Sequence, residues 1–263
     1  MARRRDLDTD IDSHGGLHPR CAERLAFVLL AVLAIALLLM PPIPQPQQYH
    51  RLSDMRSLVL GAFVLPNAVD VLSSLPFTVV GLAGLACLDG RLPSAQRSAL
   101  RVFFAGLALT GLGSVGYHLQ PTDQSLVWDR LPMTVAFAGA VGAVAAERRG
   151  ADAGLRWLLG WLALGLVSIA VWVVTGDLRL YGLSQFGGFA VVLLWLPLPA
   201  APGALRLPWS VLLAAYVVAK GFEVFDREVW ALTGGVVAGH ALKHVAAALG
   251  VVPLVKGLRR RRP

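Results

Sequence analysis

Residues 157–175 read WLLGWLALGLVSIAVWVVT, nineteen consecutive positions without a charge. As an α-helix at about 1.5 Å per residue this run reaches roughly 28 Å, close to the thickness of a bilayer's hydrocarbon core, about 30 Å. With its flanks it is read as a membrane span over 153–175. Working outward from it, runs of the same kind bounded by charge or proline predict seven more helices, at 25–43, 66–88, 98–119, 128–146, 180–199, 209–226 and 229–255. The fold class is therefore expected to be all-α and polytopic in a membrane. Composition agrees: of 263 residues 56% are hydrophobic and 15% charged, against about 25% charged in an ordinary soluble domain. Mean hydropathy is +0.63. A soluble enzyme is excluded, and the absence of a repeat of 20–50 residues excludes a solenoid.

The formal charge of +8 does not point to nucleic acid, because Lys and Arg sit in small clusters between apolar runs and form no basic face interleaved with aromatics. The clusters read instead as topology. With the N-terminus inside, 17 of the 24 basic residues fall in cytoplasmic segments: Arg3, Arg4, Arg5, Arg20 and Arg24; then Arg91, Arg97 and Arg101; Arg148, Arg149 and Arg156; Arg206; and Lys256 with Arg259–Arg262. Arg51, Arg56, Arg130, Arg179 and Arg227 fall outside, and Lys220 and Lys243 lie within spans. Residues 1–24 mix basic residues with Asp6, Asp8, Asp10, Asp12 and Glu23 and leave no apolar face, which predicts a disordered cytoplasmic tail; 256–263 form a second, basic one. Residues 25–40 lack a small-x-small cleavage site and exit at Pro41-Pro42-Ile43-Pro44, so an uncleaved helix is expected. Residues 44–65 are expected as an outer loop with a short interfacial helix. Arg outnumbers Lys 21 to 3, the usage of a GC-rich bacterial coding sequence and hence of a bacterial inner membrane. Cys21 and Cys87 lie at or near the reducing side, and no disulfide is expected.

Ionisable groups inside a bilayer are costly and are functional candidates by default. Ser114 and His118 stand at i and i+4 near the end of the third span, and His240 and His244 repeat that spacing in the last. Asp129 opens the fourth. Counting about 1.5 Å per residue from the cytoplasmic anchors places His118 at roughly 26 Å, His240 at roughly 24 Å, His244 at roughly 18 Å, Asp129 at roughly 28 Å and Ser114 at roughly 20 Å. All five fall in the outer half of the membrane. Two His on one helix face and a third from another helix supply three neutral nitrogens with a fourth position open, the ligand set of catalytic zinc. Asp129 suits a proton acceptor for a water and Ser114 an oxyanion donor. The plainer readings are interfacial histidines, a small packing serine and a helix-start carboxylate.

The Ser114-x-x-x-His118 pair, Asp129 soon after it, the terminal His240-x-x-x-His244 and the stretch Pro66-Asn67 through Ser73-Ser74-Leu75-Pro76-Phe77 resemble the alkaline ceramidase family, within the superfamily of seven-helix membrane hydrolases that includes progestin/adiponectin-type receptors and Per1 proteins. The resemblance covers about 66–255 and leaves the first helix as an addition. It implies a seven-helix core, zinc held by His118, His240 and His244, catalytic roles for Ser114 and Asp129, and hydrolysis of the amide of ceramide or a related N-acyl lipid to a fatty acid and an amino base. Eukaryotic members carry an acidic calcium-binding segment before the first core helix. Here Val64, Leu65 and Pro66 precede Asn67, with only Asp54 and Asp70 nearby, which speaks against Ca2+. The expected partner is a membrane lipid, with no nucleic acid.

Two rival functions remain open. An intramembrane serine protease would use Ser114, but the GxSxG elbow needs glycine where Leu112 stands. A receptor or transporter would keep the polar layer without turnover; transport would favour inverted repeats and matched broken helices, and neither is visible. Lys220 and Glu223, at i and i+3, are read as an intrahelical pair, or Glu223 as the partner of Lys243 across helices, with substrate head-group binding as the alternative role. The glycines at 182, 187, 188, 234, 235 and 239 are read as helix-packing positions, because no phosphate-loop pattern is present.

Overall fold

A computed structural model of the chain describes residues 19–260. In order the elements are α1 (Pro19–Leu39), a 3-10 turn at Gln47–His50, a hairpin of β1 (Leu58–Leu60) and β2 (Phe63–Leu65), α2 (Ala68–Cys87), α3 (Ser94–Leu119), α4 (Asp123–Arg149), α5 (Ala151–Thr175), α6 (Arg179–Gly182), a π-helical segment at Leu183–Gly187, α7 (Gly188–Trp195), α8 (Trp209–Val224), α9 (Asp226–Leu232) and α10 (Gly239–Arg259). Among the described residues five helices, α1, α2, α3, α5 and α10, are each long and apolar enough to cross a membrane. The protein is an all-α membrane protein apart from the small hairpin.

Helix α3 packs on α2 and α4, α4 on α5, and α10 on α2 and α8. Helix α2 thus stands between α3 and α10, the helices that carry the three histidines. In lipid, helices gain little from apolar transfer and associate by close packing, which favours small residues at contacts. A Cβ on Gly113 would meet the carbonyl oxygen of Trp128, and one on Gly139 the backbone nitrogen of Phe103. These backbone-to-backbone approaches set the α3–α4 spacing at both ends of the pair. Gly113→Ala is expected to lower stability by about 1–3 kcal/mol, the usual cost of overpacking, seen as a lower thermal unfolding midpoint. An unchanged midpoint would show that the approach is relaxed at no cost.

Helix α1 buries little of itself, yet it is tied at both ends. Glu23 meets Arg149 at 3.3 Å, Arg156 at 3.2 Å and the Trp157 indole at 3.1 Å, while Arg179 donates to the Met40 carbonyl at 2.6 Å. Beside it, Trp157, Trp161 and Trp195 build the large core with Phe103, Phe104 and Trp209.

Several boundaries differ from expectation. Helix α1 begins at Pro19, so Arg20, Glu23 and Arg24 are helical; the rest of the expected tail, 1–18, lies outside the described residues. Helix α4 begins at Asp123 because Thr122 and Ser125 form a capping box, which puts Asp129 in its second turn instead of at its start. The expected span 229–255 is broken: Gly234 and Gly235 take φ of 63° and 78°, a left-handed geometry that ends α9 and lets α10 start afresh. The expected basic tail is helical through Arg259, and 261–263 lie outside the described residues. The segment 44–65 holds a short 3-10 helix at Gln47–His50 and the hairpin of β1 and β2. Gly61, at φ 61°, supplies the positive φ that a two-residue hairpin turn needs.

Candidate metal centre

The three histidines converge at one end of the bundle. His118 lies in the last turn of α3 and His240 in the first turn of α10, with His244 one turn on. Their ring centroids are 4.9 Å (118–240), 5.1 Å (118–244) and 4.8 Å (240–244) apart, and one ligand nitrogen from each lies within 4.8 Å of the others. With metal–nitrogen bonds of about 2.0–2.1 Å, ligands of one ion would stand no more than about 4.2 Å apart, so the rings would have to draw closer together to hold it. Backbone bonds hold both helix ends in place. Asn67, left-handed at φ 47°, donates its amide to the His118 carbonyl at 2.8 Å, and Asp226 accepts from the His240 backbone N–H at 2.6 Å. The latter serves an otherwise orphaned donor at the start of α10 and favours its dipole.

His118 is wholly buried, and neither of its ring nitrogens has a hydrogen-bond partner. An imidazole left so costs about 1–3 kcal/mol for each unmet polar group. A bound metal would meet one of the two nitrogens, and the donor set fits zinc. Around His244 a fixed tautomer emerges. Ser73 Oγ lies 2.9 Å from His244 Nδ1 and donates to the Asp70 carbonyl at 3.1 Å. With its one hydrogen spent there, Ser73 accepts from Nδ1–H and leaves Nε2 free for a metal. Ser73→Ala is expected to weaken zinc binding by about 10–100-fold, the usual effect of losing a ligand's outer partner. Competition with a calibrated chelator measures this, and unchanged affinity would mean that the serine does not orient the ring.

Ser74 Oγ lies 3.1 Å from Ser114 Oγ, and the Ser114 hydroxyl and the Asp129 carboxylate are neighbours in the wall of one cavity. The polar contacts therefore run from His244 past α2 to α3 and on to α4. Asp129, Ser114 and His244 line a cavity of about 180 Å3 that also exposes Arg130, Glu223 and Lys243. It shares Phe77, Thr110, Met133, Gln185, Tyr216 and Ala247 with an apolar chamber of about 150 Å3 deeper in the bundle. Gln185, in the π-helical segment, hydrogen-bonds the Tyr216 hydroxyl at the junction of the two.

The loop after α1 covers this end. Tyr49 donates to Glu223 at 3.1 Å and packs edge-on to His240 at 6.3 Å. His50 bridges the Tyr117 hydroxyl at 3.0 Å and Asp123 at 2.9 Å. Farther along, hydrogen bonds from Arg56 hold the Asp54 carboxyl below its ordinary range, and Arg56 also reaches the Val236 carbonyl at 2.8 Å. Glu223 accepts from Lys220 within its own helix and from Lys243 across helices at 3.1 Å, so both of the pairings weighed from the sequence occur together.

All five residues singled out from the sequence, Ser114, His118, Asp129, His240 and His244, meet at this site. Missed were Tyr49 and His50, which carried no motif, and the contacts of Ser73 and Ser74. Helical spacing from a histidine cannot reveal a partner on another helix. Ser73 and Ser74 stood in the stretch that carries the resemblance, with no role attached to either. The chain matches no family model, and no curated protein matches it.

Proposed function

We propose that the protein is a zinc-dependent intramembrane hydrolase of lipid amides, with His118, His240 and His244 as ligands. The observation that carries this is the buried His118 ring, without a partner on either nitrogen, inside a three-histidine cluster beside a carboxylate-lined cavity. A zinc ion held there supplies a Lewis acid that polarises a carbonyl and acidifies water. Asp129 accepts the water's proton and returns it to the leaving amine. Ser114 orients Asp129 through its hydroxyl and, on turning, offers that hydrogen to the developing oxyanion. The polar cavity joined to an apolar chamber suits a substrate with a small head and a fatty chain.

The same reading takes α4, the rod over residues 179–195 and α8 as spans beside the five apolar helices, giving a seven-helix core plus α1. The arginines of the α4 and α10 C-termini and of the α3 start then face the cytoplasm, and the metal centre faces the outer half of a bacterial inner membrane. The resemblance to alkaline ceramidases supports this assignment. The test is metal analysis of the purified protein together with fatty-acid release from a panel of N-acyl lipids. A metal-free protein after zinc loading would end the proposal, while zinc without turnover on any lipid would favour a receptor-like role.

A further inference from the structure

Arg130 follows Asp129 on α4 and is 8% exposed. Its guanidinium carbon lies 4.6 Å from the ring centre of Trp172, 5.0 Å from that of Tyr181 and 5.7 Å from that of Tyr49. No hydrogen bond or ion pair engages it among the described residues, and Nη1 is sealed from solvent without an acceptor. A guanidinium stays charged under all ordinary conditions and presents five donors in a rigid fork. Aromatic faces stabilise the charge by about 0.5–2 kcal/mol each but satisfy none of the in-plane donors. An unpaired buried charge costs several kcal/mol. Neither carboxylate of the cavity wall forms an ion pair with it: Glu223 is held by Lys220, Lys243 and Tyr49, and Asp129, its neighbour in sequence, feels its charge only through space. Arg130 lines the cavity with no protein hydrogen-bond partner, its Nη1 enclosed by the wall.

We infer that Arg130 binds an anionic group, carboxylate or phosphate, on the amine half of the scissile amide. The inference rests on the hydrolase reading and narrows its substrate class to acyl amides of small anionic amines, as in N-acyl amino acids or N-acyl aminoalkyl phosphates. One ring, Tyr49, separates the guanidinium from the histidines: the contacts of 5.7 and 6.3 Å put it within about 12 Å of the His240 ring. That reach suits a short head group. The acyl chain occupies the apolar chamber on the other side, where no charge lines the wall. Arg130 is a specificity-determining residue, distinct from the proton-transfer group beside it.

N-lauroylglycine and N-lauroylethanolamine have equal chains and amides and differ in a carboxylate against a hydroxymethyl, so they isolate this contact. With zinc-loaded full-length protein in neutral detergent, equilibrium binding is expected to favour the glycine amide by at least about tenfold, equivalent to about 1.4 kcal/mol. Arg130→Gln erases the preference and leaves affinity for the ethanolamide within about threefold, while Arg130→Lys restores part of it. N-lauroyl-O-phosphoethanolamine, run in parallel, decides between carboxylate and phosphate as the preferred anion. Equal binding of all three amides by the wild type overturns the inference, as does a Gln variant that loses all three alike with unchanged zinc content. Binding does not require turnover. A selective binder that releases no fatty acid from any of the three, or from ceramide, keeps the anion site and ends the hydrolase reading.

Discussion

Replacing both α10 histidines, His240→Ala/His244→Ala, is expected to reduce bound zinc from about one ion per chain to background and to abolish fatty-acid release. The two side chains supply two of the three ligand nitrogens from one helix face, and no other His, Cys, Asp or Glu completes a three-residue metal set among the described residues. His118 alone cannot hold the ion. Elemental analysis of wild type and variant, purified side by side in the same detergent, measures the loss. Because a ligand that binds only the folded state stabilises it by about 4 kcal/mol at a thousand times its dissociation constant, chelation of the wild type also lowers its unfolding midpoint, while the variant shows no such response. Zinc retained at full occupancy in the double variant would remove the three-histidine centre from consideration.

Asp129→Asn separates metal binding from proton transfer. Asparagine keeps the shape of the side chain, but it has no carboxylate to take up a proton. Turnover is expected to fall by about 10²–10⁴-fold, the usual contribution of a positioned general base, with zinc content unchanged and KM shifted little. The pattern of a lower kcat at constant KM marks an interaction made in the transition state. A variant that also loses zinc would show that Asp129 is a ligand instead, and one with full activity would remove it from the mechanism. Gly113 bears on the same pair: its close approach to the Trp128 carbonyl sets how far Ser114 stands from Asp129.

The membrane character and the histidine cluster were legible for a common reason. A span is a local property, written as apolar length between charges, and 157–175 needs no tertiary information to be recognised. The i, i+4 pairs were legible because α-helical periodicity alone puts two side chains on one face. Boundaries were less accessible where short-range chemistry extends a helix past its apolar run, as the Thr122–Ser125 capping box does for α4 and the Glu23 ion pairs do for α1. The glycine break at 234–235 was read as helix packing, and positive φ at both residues makes it a chain reversal.

From the sequence alone follow the apolar spans, the clustering of basic residues between them, and the i, i+4 pairing of Ser114 with His118 and of His240 with His244, because hydropathy and helical periodicity act along the chain. Only the tertiary structure decided that α2 stands between α3 and α10, that Ser73 meets His244, that Tyr49 closes over the histidines, and that Arg130 faces the cavity without a partner. Those contacts join residues as far apart as 191 positions, Tyr49 to His240. They depend on which helices pack together, and that is settled by backbone approaches such as Gly113 on Trp128 that no periodicity encodes.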